Sequence, residues 1–165
     1  MQRLMIILVV LNALNTFAQD STMKELRNLF YKATLKEVYI QKVNSYMHES
    51  EEQDAFESYR SMLLFMKAKY AINPYTKLSH FKKGRKKMEA AVKLYPHDIE
   101  THFLRLAIQT KLPSFLGYNG AKDTDKAFII KHFSEITDKD LKARILLFFK
   151  ENELLTKQEY QQLWS

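Results

Sequence analysis

"AAVKLYPHDIETHFLRL", residues 90–106, is the stretch whose reading decides the fold. Apolar residues approach Pro96 at helical spacing and resume beyond it as Ile99, Phe103, Leu106 and Ala107. Proline removes a backbone donor and clashes with the preceding turn, so one helix stops there and a second starts. Asp98 and Glu100 fall in the first turn of that second helix, where acids favour the positive end of the dipole. The stretch therefore reads as two helices meeting at a tight corner.

The same reading extends in both directions. With three glycines and three prolines in 165 residues, the chain has few of the residues that tight strand connections require. Apolar residues instead recur at three and four. A helix is expected from Thr22 to Met47, carrying Leu26, Leu29, Phe30, Ala33, Ile40, Val43 and Met47 on one stripe that Lys36 and Glu37 interrupt. Ser50, with Gln53 as its reciprocal partner, reads as the cap of a second helix that ends before Pro74. A third runs from Tyr75 to Leu94, with Leu78, Phe81, Gly84, Met88, Ala91 and Tyr95 on one face, and a fourth from Asp98 to Lys111. A short helix is expected over Asp125–Phe133, another to Lys150 capped by Thr137, and a last one opened by a capping box of Thr156 and Glu159. The expected class is all-α: a bundle of antiparallel helix pairs with about seven helices.

Within this frame Gly84, Met88, Ala91 and Pro96 have the spacing of the second helix of a tetratricopeptide repeat. Small residues there let helices approach, a large one fills the groove, and proline ends the helix. Phe103, Leu106 and Ala107 resemble the start of the following repeat, with one extra residue in the corner. The resemblance covers residues 84–107 and has no second copy at a period near 34. It implies a tetratricopeptide-like hairpin inside a non-repetitive bundle, a fold used to hold other proteins. The apolar N-terminal run, the Lys-rich helices and "FLGYNG" at 115–120 are also similar to small secreted proteins of Bacteroidetes-type bacteria, a resemblance that implies no activity.

Arg3 followed by the apolar run Leu4–Leu11, with Thr16 and Ala18 as small residues beyond it, reads as a secretory signal peptide cleaved after Ala18. The run is shorter than the roughly 20 residues of a membrane span, so no transmembrane segment is expected after cleavage. Residues 19–165 then form a single helical domain, periplasmic or secreted. The chain has no cysteine, which excludes disulfides, thiol catalysis and cysteine metal sites. Its formal net charge of +7 favours anionic partners. For an exported protein these are another envelope protein or peptide, or an anionic lipid or glycan, and not nucleic acid.

Three places stand out for chemistry. "HDIETH" at 97–102 places Asp98 and His102 on one helical face but turns His97 away. Two converging ligands fall short of a zinc site, so no metal and no cofactor is expected. "HFKKGRKK" at 80–87 concentrates Lys82, Lys83, Arg85, Lys86 and Lys87. Like charges four apart cost helix stability, which an anionic partner would offset. The loop "FLGYNG" has two glycines that permit turns closed to other residues. There Phe115 and Tyr118, with Arg105 and His102 across the Pro96 corner, are the candidate lining of a groove for a partner or ligand. No nucleophile elbow, phosphate loop or HExxH pattern occurs. The expected function is a non-catalytic binding or scaffold protein of the bacterial envelope. The alternative is a periplasmic enzyme or small-ligand carrier with its site at the Pro96 corner and the 115–120 loop.

Overall fold

A computed structural model describes residues 22–49 and 56–163, and among them every regular element is helical. Eight α-helices follow in order: α1 (22–35), α2 (Val38–Glu49), α3 (Glu57–Tyr70), α4 (Pro74–Leu94), α5 (Ile99–Lys111), α6 (Lys122–Lys131), α7 (Lys139–Glu151) and α8 (Lys157–Gln162). Short 3-10 turns lie at Ser114–Leu116 and Phe133–Glu135. The N-terminal segment with its cleavage site, the Ser50 cap with Gln53, and Trp164 lie outside the described residues.

The helix expected over Thr22–Met47 is two helices, broken where Lys36 and Glu37 interrupt the stripe. A continuous helix of that length would extend about 39 Å, well beyond α3 beside it. Its second half would then leave Ile40, Val43 and Met47 in water. Folding back at 36–37 buries all three, and the Tyr46 hydroxyl donates to the carbonyl of Thr22 at 3.0 Å, closing the hairpin at its far end. This break accounts for eight helices rather than seven.

One cap, the Thr156–Glu159 box, is as the sequence suggests, while Asp98, expected in the first turn of α5, is its cap instead. Asp98 accepts from the Thr101 amide at 2.8 Å to open α5. The Thr156–Glu159 capping box has both of its hydrogen bonds. Two expected starts are corrected. The cap of α7 is Asp138, whose carboxylate accepts from the amides of Asp140 and Leu141, and not Thr137. Asp125 does not open α6. The helix starts at Lys122, and Asp125 lies at the end of its first turn with its amide bonded to Ala121 O.

Helices α3 and α4 form a tight antiparallel pair. Phe65 meets Phe81 edge-on at 5.8 Å, and the Ser61 hydroxyl donates to Gly84 O at 2.8 Å. Gly84 allows this approach: a Cβ there would come within 3.1 Å of the Phe65 ring and 3.3 Å of Leu64 Cβ. The ring cannot swing away, because it is also stacked on Tyr118. Gly84→Val is therefore expected to destabilise by about 2–3 kcal/mol through overpacking. In Gly84→Ala the smaller clash is partly offset by a helix-propensity gain of up to about 1 kcal/mol. Urea unfolding of the two variants checks the order. Met88 and Ala91, on the same face, are buried.

Helix α5 joins two apolar cores. Leu104 and Ile108 pack into the core built by α1–α4, which also takes in Tyr118. Phe103 and Leu106 pack into the second core, with Ile129, Phe133, Ile145 and Phe149. Its remaining buried side chains include Glu100, His102, Arg105 and Gln109. Polar groups so enclosed need partners, and the first three have them in two separate networks.

Candidate functional site

The first network gathers around Arg27 on α1. Its guanidinium grips Glu100 with two hydrogen bonds, Nε to Oε1 at 2.6 Å and Nη2 to Oε2 at 2.7 Å. Nη1 donates to Asp138 Oδ2 at 2.6 Å and to Asp140 Oδ2 at 3.2 Å. The Tyr59 hydroxyl donates to the same Glu100 carboxylate. One arginine thus connects the N-terminal turns of α3, α5 and α7, where helix dipoles favour carboxylates. Burial opposes the Arg27 charge, but the bonds and charge of Glu100 outweigh it and hold the group firmly protonated. Burial first, then the Glu100 charge, pushes the Tyr59 hydroxyl well up. Burial likewise works against ionisation of Asp138 and Asp140. Backbone amides and Arg27 at Asp138, and Arg144 and Arg27 at Asp140, more than offset it and leave both acids below their ordinary range.

The second network contains three of the four residues that the sequence nominates as a groove. Arg105 pairs in a fork with the fully buried Asp125, Nε to Oδ2 and Nη2 to Oδ1, both at 2.7 Å. Its Nη1 donates to Glu89 Oε2 at 2.8 Å. The Tyr118 hydroxyl donates to the other Glu89 oxygen at 2.7 Å. His102 lies with Nδ1 2.7 Å from Asp125 Oδ1 and Nε2 3.0 Å from Pro96 O, its ring stacked on Phe128. Both neighbours, a carboxylate and a carbonyl, are acceptors, so the ring is enclosed between two oxygens. Burial pushes the Asp125 carboxyl up, but the hydrogen bonds and charges of Arg105 and His102 prevail and hold it below the ordinary carboxylate range. Burial, followed by the Glu89 carboxylate, raises the Tyr118 hydroxyl. His102, Arg105 and Tyr118 are therefore buried and turned toward one another, with Asp125, a residue sequence spacing does not single out, at the centre.

Phe115 has a different environment. The 3-10 turn Ser114–Leu116 ends on Gly117 in the left-handed region, φ 61°, a conformation glycine adopts without a steric penalty. This turn sends the two loop aromatics in opposite directions. Tyr118 goes into the core, between Phe65 and Phe81. Phe115 is 84% exposed and overhangs an open cleft of about 430 Å³ against α4. Leu78, Phe81, Leu116 and Phe115 supply its apolar surface, and Lys82, Arg85 and Lys86 its basic edge. Leu78, which the helical stripe assigns to the core, is 45% exposed here instead. It lines the cleft together with Phe115 and Leu116 of the 3-10 turn.

The cleft brings together two features that are separate in sequence, the basic run 82–87 and the loop 115–120. Lys83 and Lys87 lie outside its lining, and Lys87 is 3.8 Å from Glu57 on α3. Arg85 extends over the Tyr118 ring at 5.2 Å. Glu89 belongs both to the cleft wall and to the buried network, so the two are adjoining layers of one region. Pro96 follows the end of α4 and its carbonyl faces His102. Among the described residues no group of three metal-ligating side chains converges, and no helix is long and apolar enough to cross a membrane. No protein-family model, curated protein or solved structure matches the chain.

Proposed function

We propose that this chain is an exported, non-catalytic binding module of the bacterial envelope, and that the cleft beside α4 holds a short segment of a partner protein. The observation that carries the reading is the pairing of exposed Phe115 and Leu78 above Phe81, beside Lys82, Arg85 and Lys86. An apolar side chain flanked by acids fits that surface, in the helix-in-groove or extended manner that helical modules use for peptides. The groups best suited to acid–base chemistry, His102, Arg105 and Tyr118, are engaged with Asp125 and Glu89, which favours binding over catalysis. The close α3–α4 approach at Gly84, followed by a proline corner into α5, is in keeping with a tetratricopeptide-like hairpin. Export is supported by the apolar run Leu4–Leu11 and the small residues at Thr16 and Ala18.

The test is a photo-crosslinking side chain at position 115 of the full chain in its native cell, with the exposed position 147 of α7 as the control. A discrete protein adduct at 115, absent at 147 and abolished by Lys82→Glu with Lys86→Glu, is expected. Equal labelling at both positions, or an adduct indifferent to the charge reversals, would overturn the assignment.

A further inference from the structure

A second surface lies apart from the cleft. Helices α1 and α3 run side by side in the same direction: Phe30 packs on Tyr59, and farther along Tyr70 and Lys69 donate to the carbonyls of Ala33 and Thr34 at 3.0 and 2.6 Å. The corner after α1 and the corner after α3 are therefore neighbours at one end of the bundle. Both carry large apolar side chains that touch little of the protein. Leu35 and Val38 are 64% and 63% exposed, and Ile72 and Tyr75 are 98% and 85% exposed. Exposed apolar residues scattered singly are ordinary, but four of them on two adjoining corners form a patch that marks a contact site.

The surrounding charge identifies the contact. Lys32, Lys36, Lys69 and Lys77 flank the two corners, with Glu37 as the single acid from Tyr31 to Val38, and no acid lies between Lys69 and Leu78. The stretch from Ser58 to Met88, which forms α3 after its first residue, Glu57, and most of α4, contains nine Lys and Arg and no Asp or Glu. A second copy of the chain would bring lysines against lysines. A groove-bound peptide needs walls, and these side chains stand on projecting corners. We infer that this end of the bundle docks on an anionic lipid bilayer, with Ile72, Tyr75, Leu35 and Val38 entering the headgroup–acyl boundary and the lysines facing the headgroups. Apolar area and basic charge both strengthen such binding, and each lysine near the surface adds roughly fivefold. Tyr75 suits the boundary, since its ring is apolar and its hydroxyl stays wet. The inference does not depend on the cleft, whose Phe115 and Leu78 are untouched in the variants below.

The test uses the full chain with vesicles of phosphatidylcholine alone or with about 30 mol% phosphatidylglycerol, at low and high salt. Ile72→Trp supplies a reporter, and the parent, with Trp164 only, gives the baseline. The reporter's emission is expected to shift to the blue on anionic vesicles and to be quenched by lipids brominated on their acyl chains. Pure phosphatidylcholine is expected to leave it unchanged. Sedimentation with anionic vesicles is expected to weaken at least about tenfold in Ile72→Ser with Tyr75→Ser, since two large apolar groups are withdrawn from the interface. The first 21 residues are common to every variant, so lipid contact there does not alter the comparison. A reporter that stays unshifted and unquenched overturns the inference, as does a double variant that sediments like the parent. A blue shift that appears with protein concentration and without vesicles indicates self-association and overturns it equally.

Discussion

Asp125→Ala is expected to lower the folding free energy by about 3–5 kcal/mol, because it leaves a buried cation without its principal partner. Asp125 is fully buried and accepts two hydrogen bonds from Arg105 and one from His102. Without it, Arg105 retains only Glu89, a residue on the cleft wall, and His102 retains only the carbonyl of Pro96. Desolvated charge of this kind is far costlier unpaired than paired. For a chain of this length each kcal/mol moves the melting temperature by about 2–4 °C, so a fall of roughly 6–20 °C is expected by calorimetry. A change under about 1 kcal/mol, the size of a typical surface substitution, would show that the pair contributes nothing net.

The same carboxylate sets an acid limit. Its folded pKa lies below its unfolded value, so its contribution to stability is complete above the unfolded pKa of about 4. That contribution is lost as pH falls through the folded pKa. Arg105 remains charged throughout, so protonation of Asp125 alone breaks the fork. Asp138 and Asp140 are shifted in the same direction and add to the same limb. Melting temperature is therefore expected to fall steeply from about pH 4 downward in the parent and less steeply in Asp125→Ala.

Helical spacing and prolines suffice for the class and most of the boundaries. Pro74, Pro96 and the Thr156–Glu159 box are local devices, and each operates where its spacing places it. The break at Lys36–Glu37 is visible as an interruption of the stripe, but its consequence depends on the length of α3, which the local pattern does not contain. The cleft is half legible: both walls are recognisable as unusual stretches, and only the chain path brings Leu78 opposite Phe115. The networks are the least legible part. Arg27 lies beside Leu26 and three residues before Phe30, on the apolar side of α1, and a charge there signals a buried partner. The partners are 73 and 111 residues away, and periodicity cannot name them. Glu100 and Asp138 satisfy a helix dipole or a cap in addition to an ion pair, so the local explanation conceals the distant one.

Arg27→Met carries the second large effect. Methionine fills a similar space without the charge, so the variant isolates the ionic contribution from packing. Glu100, itself buried, would lose both guanidinium bonds, and Asp138 and Asp140 would face it without an intervening cation. A loss of about 3–5 kcal/mol is expected, with unfolding that starts where α1, α3, α5 and α7 meet. Arg27→Met with Glu100→Met distinguishes the pair from its surroundings. A buried ion pair replaced as a whole by apolar groups is often near neutral, so the double variant should recover much of what the single one loses. Recovery should be incomplete, because the Tyr59 hydroxyl loses its acceptor as well. Urea unfolding of the parent, both single variants and the double closes a cycle whose coupling energy is expected to be about 2–3 kcal/mol. A coupling near zero would mean that the four helices are held by their apolar cores alone, and that Arg27 is merely accommodated between them.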